Sequence, residues 1–134
     1  MHIEARRHVP RPRAELYTQL ADLRTHWQLA GRWVEPLELR GDGGTVRVRA
    51  PLGLHRTIAT RLTETREPEC VAGEASLGRT RAAISWLLEP DGDGTLVTLR
   101  AVVEEARPLD RALLALGGAH WMRGRFRATL EQLG

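Results

Sequence analysis

From Arg32 to Glu105 the chain alternates between apolar and polar residues, a pattern typical of half-buried β-strands. The opening segment shows the same period. Two glycine-rich segments, Gly41-Asp42-Gly43-Gly44 and Pro90-Asp91-Gly92-Asp93-Gly94, are typical of hairpin turns. The pattern therefore predicts an antiparallel sheet of about seven strands with one polar face. The predicted strands are His2–Val9, Arg32–Leu39, Thr45–Ala50, His55–Glu64, Cys70–Leu77, Arg79–Glu89 and Thr95–Glu105.

Two short helices are predicted between the first strand and the second. Pro10-Arg11-Pro12 ends the strand, and Pro12 or Arg13 suits the first turn of a helix. In this helix Leu16, Tyr17 and Leu20 share one face. The second helix spans Asp22–Ala30, and Gly31 occupies the position that commonly ends a helix.

The last quarter of the chain predicts the one long helix, beginning near Pro108 and ending near Leu133. Its apolar positions recur at helical spacing, so we expect the stripe to face the core. Gly117-Gly118 costs about 1 kcal/mol per glycine relative to alanine, which predicts a kink or a close approach to the backbone. The stripe consists of Leu109, Ala112, Leu113, Leu116, Ala119, His120, Phe126, Leu130 and Leu133.

These elements predict an α+β protein in which the long helix covers the buried face of a curved antiparallel sheet. A chain of 134 residues is long enough for a substantial core. No linker or internal repeat interrupts the pattern. We therefore expect residues 1–134 to form a single domain.

Composition and charge exclude several classes of protein. Cys70 is the single cysteine, so an internal disulfide is excluded. The 20 basic residues are all arginine and are mixed with 17 acidic ones, without the basic stripe that a nucleic-acid-binding protein needs. No apolar run is long enough to cross a bilayer, and the N-terminus does not resemble a signal peptide. We expect a cytoplasmic protein that binds neither nucleic acid nor the membrane interior.

The candidate chemistry is sparse. Acid–base catalysis would need a group that reaches the ligand, and the candidates are His26, His55 and His120, together with Glu74 on a strand. An inward-facing Arg7 or Arg56 could hold a carboxylate or an enolate. The five histidines lack close metal-ligand spacing, and the best pair, His26 and His55, lies on separate elements, so no metal is expected. Gly41-Asp42-Gly43-Gly44 joins two strands rather than opening a helix, so no nucleotide cofactor is expected. Cys70 is interpreted as a small buried residue.

Tryptophan supplies four aromatic residues, against one tyrosine and one phenylalanine. Trp27, Trp33, Trp86 and Trp121 lie on different predicted elements that would converge on one interior. Rigid apolar rings with a polar N–H suit a pocket for a flat hydrophobic ligand, although the same rings also fill ordinary cores. Both interpretations stay open.

Three stretches together resemble the SRPBCC superfamily, the helix-grip (START/Bet v 1-like) fold that includes polyketide cyclase/dehydrase-like proteins of bacterial type. They are Val9-Pro10-Arg11-Pro12-Arg13-Ala14-Glu15-Leu16-Tyr17, then Leu20-Ala21-Asp22-Leu23-Arg24-Thr25-His26-Trp27, and the closing segment from Arg123 through Phe126-Arg127 to Leu130-Glu131-Gln132-Leu133. The resemblance implies a cavity between sheet and long helix that holds a lipid, a polyketide, a quinone or a similar small hydrophobic molecule. The implied cavity residues are Trp27, Trp33, Ile58, Thr60, Trp86, Leu99, Ala101, Leu113, Leu116, Gly117 and His120.

Three functions remain open at this point. The first is binding of a small hydrophobic ligand, by a monomer or homodimer. The second is a polyketide aromatase/cyclase, in which His120 or His55 would act as base while an arginine stabilises an enolate. The third is a protein-interaction module, which requires an exposed apolar patch and little internal volume.

Overall fold

The computed structural model describes residues 1–29, 33–50 and 53–134, without the side chains of Leu23 and Arg24. The predicted helix end at Ala30 and Gly31 and the predicted strand start at Arg32 lie outside the described residues. The elements in chain order are β1 (His2–Val9), α1 (Arg13–Ala21), α2 (Leu23–Gln28), β2 (Val34–Arg40), β3 (Gly43–Arg49), β4 (His55–Arg66), β5 (Cys70–Leu77), β6 (Thr80–Asp91), β7 (Gly94–Glu105), α3 (Pro108–Leu113), a π-helical segment (Leu114–Gly118) and α4 (Ala119–Glu131).

The seven strands form one antiparallel sheet in the order β1-β7-β6-β5-β4-β3-β2, which confirms the predicted fold class. Each of the strands from β2 to β6 pairs with the next strand along the chain, and β1 pairs with β7 to form the other edge of the sheet. The hairpin turns contain Gly41 and Gly92, with φ of 54° and 59°. Glycine is the residue that adopts this left-handed conformation at no steric cost, which is why these turns form where the sequence predicts them.

The register of the sheet decides which side chains share its concave face. Thr60 pairs with Ala75, and Ala75 pairs with Ala82, so Thr60 lies on the same face as Ala82. Trp86 lies four residues beyond Ala82 on β6 and therefore points to that face too. Trp86 in turn pairs with Leu99 of β7. This face is the one that the sequence pattern predicts to be buried.

The core lies between this face, α1 and α4. Leu16 and Leu20 of α1 are fully buried, as the shared face of that helix predicts. Phe126, Leu130 and Leu133 are at most 3% exposed and belong to the same core cluster. The second half of the predicted C-terminal stripe therefore packs as expected.

Most of the first half of that stripe does not face the core, contrary to the prediction. Leu109, Ala112, Leu116 and His120 are exposed, with Leu116 84% accessible, whereas Leu113 and Ala119 are partly buried. Dihedral angles leave the helical range at Leu116 (φ −87°, ψ 16°) and at Gly117 (φ 121°, ψ −9°). This break confirms that Gly117-Gly118 interrupts the helix. It also shifts the phase, so a stripe extrapolated at a constant 100° per residue across the break fails.

A polar residue takes the inward position on α3. Asp110 is only 8% exposed, whereas Leu109 beside it is 62% exposed. The start of α3 is therefore held by hydrogen bonds and charge, whereas the end of α4 is held by apolar packing.

Candidate functional site

The four tryptophans lie in four separate parts of the fold. Trp27 lies on α2, Trp33 precedes β2, Trp86 lies on β6 and Trp121 on α4. Trp86 is only 3% exposed, and the other three are partly buried. Trp33 meets Trp121 edge to face, with ring centroids 5.8 Å apart. The helices and the sheet therefore bring aromatic rings toward one interior, as the sequence predicts.

Four buried polar atoms in the described part of the chain lack a hydrogen-bond partner. They are the indole Nε1 of Trp27, Trp33 and Trp86, and the hydroxyl Oγ1 of Thr60. Buried polar groups in native proteins are nearly always paired, and each unpaired one costs about 1–3 kcal/mol. All four belong to residues that the family resemblance places in a cavity. Their concentration on one side of the sheet marks this region as the candidate site.

His26 is placed among these tryptophans. Its ring centroid lies 4.9 Å from that of Trp27 and 5.5 Å from that of Trp86, where the two planes are nearly perpendicular. Its Nδ1 lies 3.0 Å from the backbone oxygen of Leu20. Burial lowers the pKa of His26 below its ordinary value of 6.5, and the bond to Leu20 offsets only part of this effect. The histidine is therefore held neutral at neutral pH.

The two histidines favoured from sequence as catalytic candidates are elsewhere. His120 is exposed on α4 and His55 is exposed at the start of β4. Glu74 and Arg7 are also exposed, although the alternation pattern places Arg7 on the apolar side of β1. The sequence names His26 as a candidate but gives no reason to prefer it, because α2 is only six residues long and shows no clear apolar stripe.

The predicted cavity residues on the sheet are buried or partly buried. Leu99 and Ala101 are each 4% exposed, while Ile58 and Thr60 are partly buried on β4. Leu113 on α3 is also partly buried. Leu116, Gly117 and His120 are exposed. Leu116 and Gly117 form the helix break, and the change of phase at the break leaves His120 on the outer side of α4.

An open depression of about 450 Å³ lies where β4 and β5 approach α3. It is lined by His55, Arg56, Thr57, Leu77, Arg107, Pro108 and Leu109.

Asp110, the residue after Leu109, accepts hydrogen bonds from the Thr80 hydroxyl at 2.5 Å and from Arg107 Nε at 3.0 Å. Arg56 Nε is 3.9 Å from the same carboxylate. The arrangement fixes the start of α3 to the sheet.

Within the three described ranges, no group of three or more His, Cys, Asp and Glu side chains is placed to hold a metal ion. Cys70 is 3% exposed, which agrees with its interpretation as a small buried residue. No helix among the described residues is long and apolar enough to cross a membrane.

The curved sheet and the C-terminal helix packed against it define a helix-grip protein. The sequence matches, over residues 1–134, the family described as polyketide cyclase / dehydrase and lipid transport. The chain therefore belongs to this family, which confirms the resemblance to the SRPBCC superfamily. Among curated proteins, none matches the sequence.

Solved structures agree on the fold. TTHA0849 from Thermus thermophilus is 20% identical, with a TM-score of 0.75 over 99% of this chain and 94% of that one. Ms6760 from Mycobacterium smegmatis is 14% identical, with a TM-score of 0.74 over 98% and 87%. DR_A0006 from Deinococcus radiodurans is 18% identical, with a TM-score of 0.68 over 98% and 93%. At these identities the similarity shows the fold alone.

Replacing Thr60 by valine is expected to raise the free energy of unfolding by about 1 kcal/mol. Valine has nearly the same shape, so packing is kept, while the unpaired hydroxyl and its desolvation cost are removed. Urea unfolding measures the effect. Thr57→Val is the matched control, because Thr57 is exposed on the same strand. A clear loss of stability in Thr60→Val would show that the hydroxyl has a partner.

The stability of the protein is expected to fall as the pH drops below about 6.5, where an unfolded histidine gains a proton but His26 resists one. Well above pH 6.5, His26 is neutral in both the folded and the unfolded protein. Below pH 6.5, the unfolded chain binds a proton at this histidine more readily than the folded protein does, so protonation favours unfolding. The slope due to one group is at most about 1.4 kcal/mol per pH unit. Urea unfolding of the wild type and of His26→Asn, at about pH 7.5 and 5.5, measures it.

Asparagine at position 26 can still donate to the Leu20 oxygen but has no group that titrates in this range. The four other histidines are exposed and are present in both proteins, so their contributions cancel in the difference. If the wild type and His26→Asn lose the same free energy of unfolding between about pH 7.5 and 5.5, His26 does not cause the pH dependence.

Proposed function

We propose that this protein binds a small, flat, hydrophobic ligand that carries hydrogen-bond acceptors, between the concave face of the sheet and the C-terminal helix. The single observation that carries the proposal is the group of unpartnered buried donors: the indole N–H groups of Trp27, Trp33 and Trp86. Membership of a family described by polyketide cyclase / dehydrase and lipid transport supports a ligand of this kind.

The chemistry of the unpaired atoms narrows the ligand class. An indole N–H can only donate a hydrogen bond, so its partner must be an acceptor such as a carbonyl oxygen. Three such donors beside aromatic rings suit a polycyclic or quinone-like molecule, whose faces pack on the rings while its oxygens take the N–H groups. A plain hydrocarbon would leave every one of these donors unpaired.

The residues proposed to contact the ligand are those of the predicted set that lie inside the fold. Leu116, Gly117 and His120 are not part of this proposal, because the helix break leaves them in solvent. The proposed contacts are Trp27, Trp33, Ile58, Thr60, Trp86, Leu99, Ala101 and Leu113.

The two alternatives are less well supported. The aromatase/cyclase hypothesis requires His120 or His55 to face the interior, and both are exposed. The interaction-module hypothesis draws on exposed leucines such as Leu109 and Leu116. It gives no reason, however, for unpaired donors on the concave face.

The proposal is tested by native mass spectrometry of the purified protein, compared with a denatured sample. We expect a bound mass that leaves on denaturation and contains carbonyl or similar acceptor oxygens. Trp86→Phe, which keeps an aromatic ring but removes one donor, should lower the occupancy, whereas Trp121→Phe is the control. Absence of any adduct, together with unchanged tryptophan fluorescence across lipids, quinones and polyketides, would refute the proposal.

A further inference from the structure

His26 presents a hydrogen-bond acceptor to the same region as the unpaired donors. A backbone carbonyl can only accept, so the 3.0 Å contact between His26 Nδ1 and the Leu20 oxygen requires the proton to be on Nδ1. The neutral ring then carries a bare lone pair on Nε2. The bond to Leu20 therefore uses Nδ1 and leaves the Nε2 lone pair free to accept a hydrogen bond from another molecule.

The ring that carries this lone pair is fixed in position. The bond to Leu20 holds one end of the imidazole, and the rings of Trp27 and Trp86 contact it with centroids 4.9 and 5.5 Å away. Burial keeps the ring neutral, so Nε2 remains an acceptor at neutral pH. The imidazole ring therefore lies beside two tryptophan rings, those of Trp27 and Trp86, whose buried indole N–H groups are unpaired.

The polar groups of the site therefore include both hydrogen-bond donors and a hydrogen-bond acceptor. The three indoles supply donors only, and Nε2 of His26 supplies an acceptor. A ligand that pairs all of them needs acceptor oxygens for the indoles and one donor for the histidine. A phenol or an enol beside a ketone has this combination, whereas a simple ketone or quinone leaves Nε2 unpaired.

We propose that His26 is a specificity-determining residue whose Nε2 accepts a hydrogen bond from a hydroxyl of the ligand, so that the site selects hydroxylated aromatic or enolic ketones. The inference rests on the proposed function, since it assigns the polarity of the same site. The new requirement is a hydrogen-bond donor on the ligand, which neither the fold nor the indole N–H groups imply.

The test compares two probes that differ in one hydrogen-bond donor. 6-Hydroxy-1-tetralone has a ketone and a hydroxyl, while 6-methoxy-1-tetralone keeps the ketone and blocks the donor. Their affinities are measured by tryptophan fluorescence quenching and by calorimetry, for the wild type, His26→Asn and His8→Asn. Asparagine at position 26 keeps the donor to the Leu20 oxygen but has no atom at the place of Nε2. His8 is exposed on β1 and serves as the control.

We expect the wild type to bind the hydroxy compound about five- to tenfold more tightly, which is the range for one neutral hydrogen bond. His26→Asn should lose this preference and bind the methoxy compound within about twofold of wild type, while His8→Asn keeps it. Thermal melting checks that His26→Asn is folded, and His26→Gln, which can place an amide oxygen near Nε2, should restore part of the preference.

The outcomes separate the two proposals. Equal affinities of the wild type for both compounds, or a preference that persists in His26→Asn, would overturn the role of His26 and leave ligand binding intact. Absence of binding by either compound at millimolar concentration would count against the proposed function and against this inference with it.

Discussion

Replacing Phe126 by alanine is expected to lower the free energy of unfolding by about 3–5 kcal/mol. Phe126 is the single phenylalanine of the chain and is 3% exposed on the side of α4 that packs on the core. Truncation removes the transfer free energy of the ring and leaves a cavity that the surrounding structure fills only in part. A domain of this size has about 5–15 kcal/mol of stability, so the variant should be close to unfolding on mild heating.

Urea unfolding monitored by circular dichroism measures the change. Arg127→Ala is the matched control, because Arg127 is the next residue on the same helix and is exposed; its effect should stay within about 0.5 kcal/mol. Similar small effects for both variants would show that α4 is not packed on the sheet as described.

Replacing Asp110 by alanine is expected to cost about 2–3 kcal/mol, the second-largest effect. Asp110 accepts hydrogen bonds from Thr80 and Arg107, and the Thr80 hydroxyl in turn accepts one from the Arg107 backbone N–H at 3.0 Å. Removing the carboxylate leaves these donors without their charged partner. Arg107 is partly exposed and can turn to solvent, which is why the expected loss is below that of a fully buried pair.

The same carboxylate predicts an acid-dependent loss of stability. Burial raises the pKa of Asp110, but the hydrogen bonds from Thr80 and Arg107 and the charges of Arg107 and Arg56 outweigh it, so the pKa falls below the ordinary 3.8. The contribution is therefore complete above pH 3.8 and disappears as the pH falls through the lowered pKa. Asp110→Ala should lack this acid-dependent component.

Unfolding experiments with Asp110→Ala and with Glu104→Ala separate the local contacts from the change in net charge. Glu104 is exposed on β7, so its replacement removes one negative charge without touching the cluster. Equal effects of the two variants would indicate that the cluster contributes nothing beyond charge balance.

Much of this fold follows from the sequence because alternation and turn residues act locally. The Cys70–Leu77 strand has the predicted ends, and Gly92 forms the predicted turn between β6 and β7. The buried face of the helix is harder to predict, because an error in the angle per residue accumulates along the helix. The non-helical angles at Leu116 and Gly117 interrupt the constant period, so the predicted stripe agrees with the structure at Phe126 and Leu130 but not at Leu116 and His120, which are exposed.

The family resemblance implies that Trp27, Trp33, Trp86 and Thr60 are cavity residues, but no sequence pattern predicts which of their polar atoms are unpaired. Whether their polar atoms have partners depends on distances between elements far apart in the chain, which no local pattern encodes. The position of His26 depends in the same way on a backbone oxygen of α1 and on a ring from β6.

Pairing of the interior indole N–H groups with acceptor oxygens of a ligand can be detected in a ¹H–¹⁵N spectrum of the indole region. The four tryptophans give four indole signals, assigned with single Trp→Phe variants. On addition of 6-hydroxy-1-tetralone, we expect downfield shifts for signals of Trp27, Trp33 or Trp86, and a smaller change for Trp121. Unchanged signals at saturating probe, or a shift confined to Trp121, would show that these N–H groups do not bind the oxygens of a ligand.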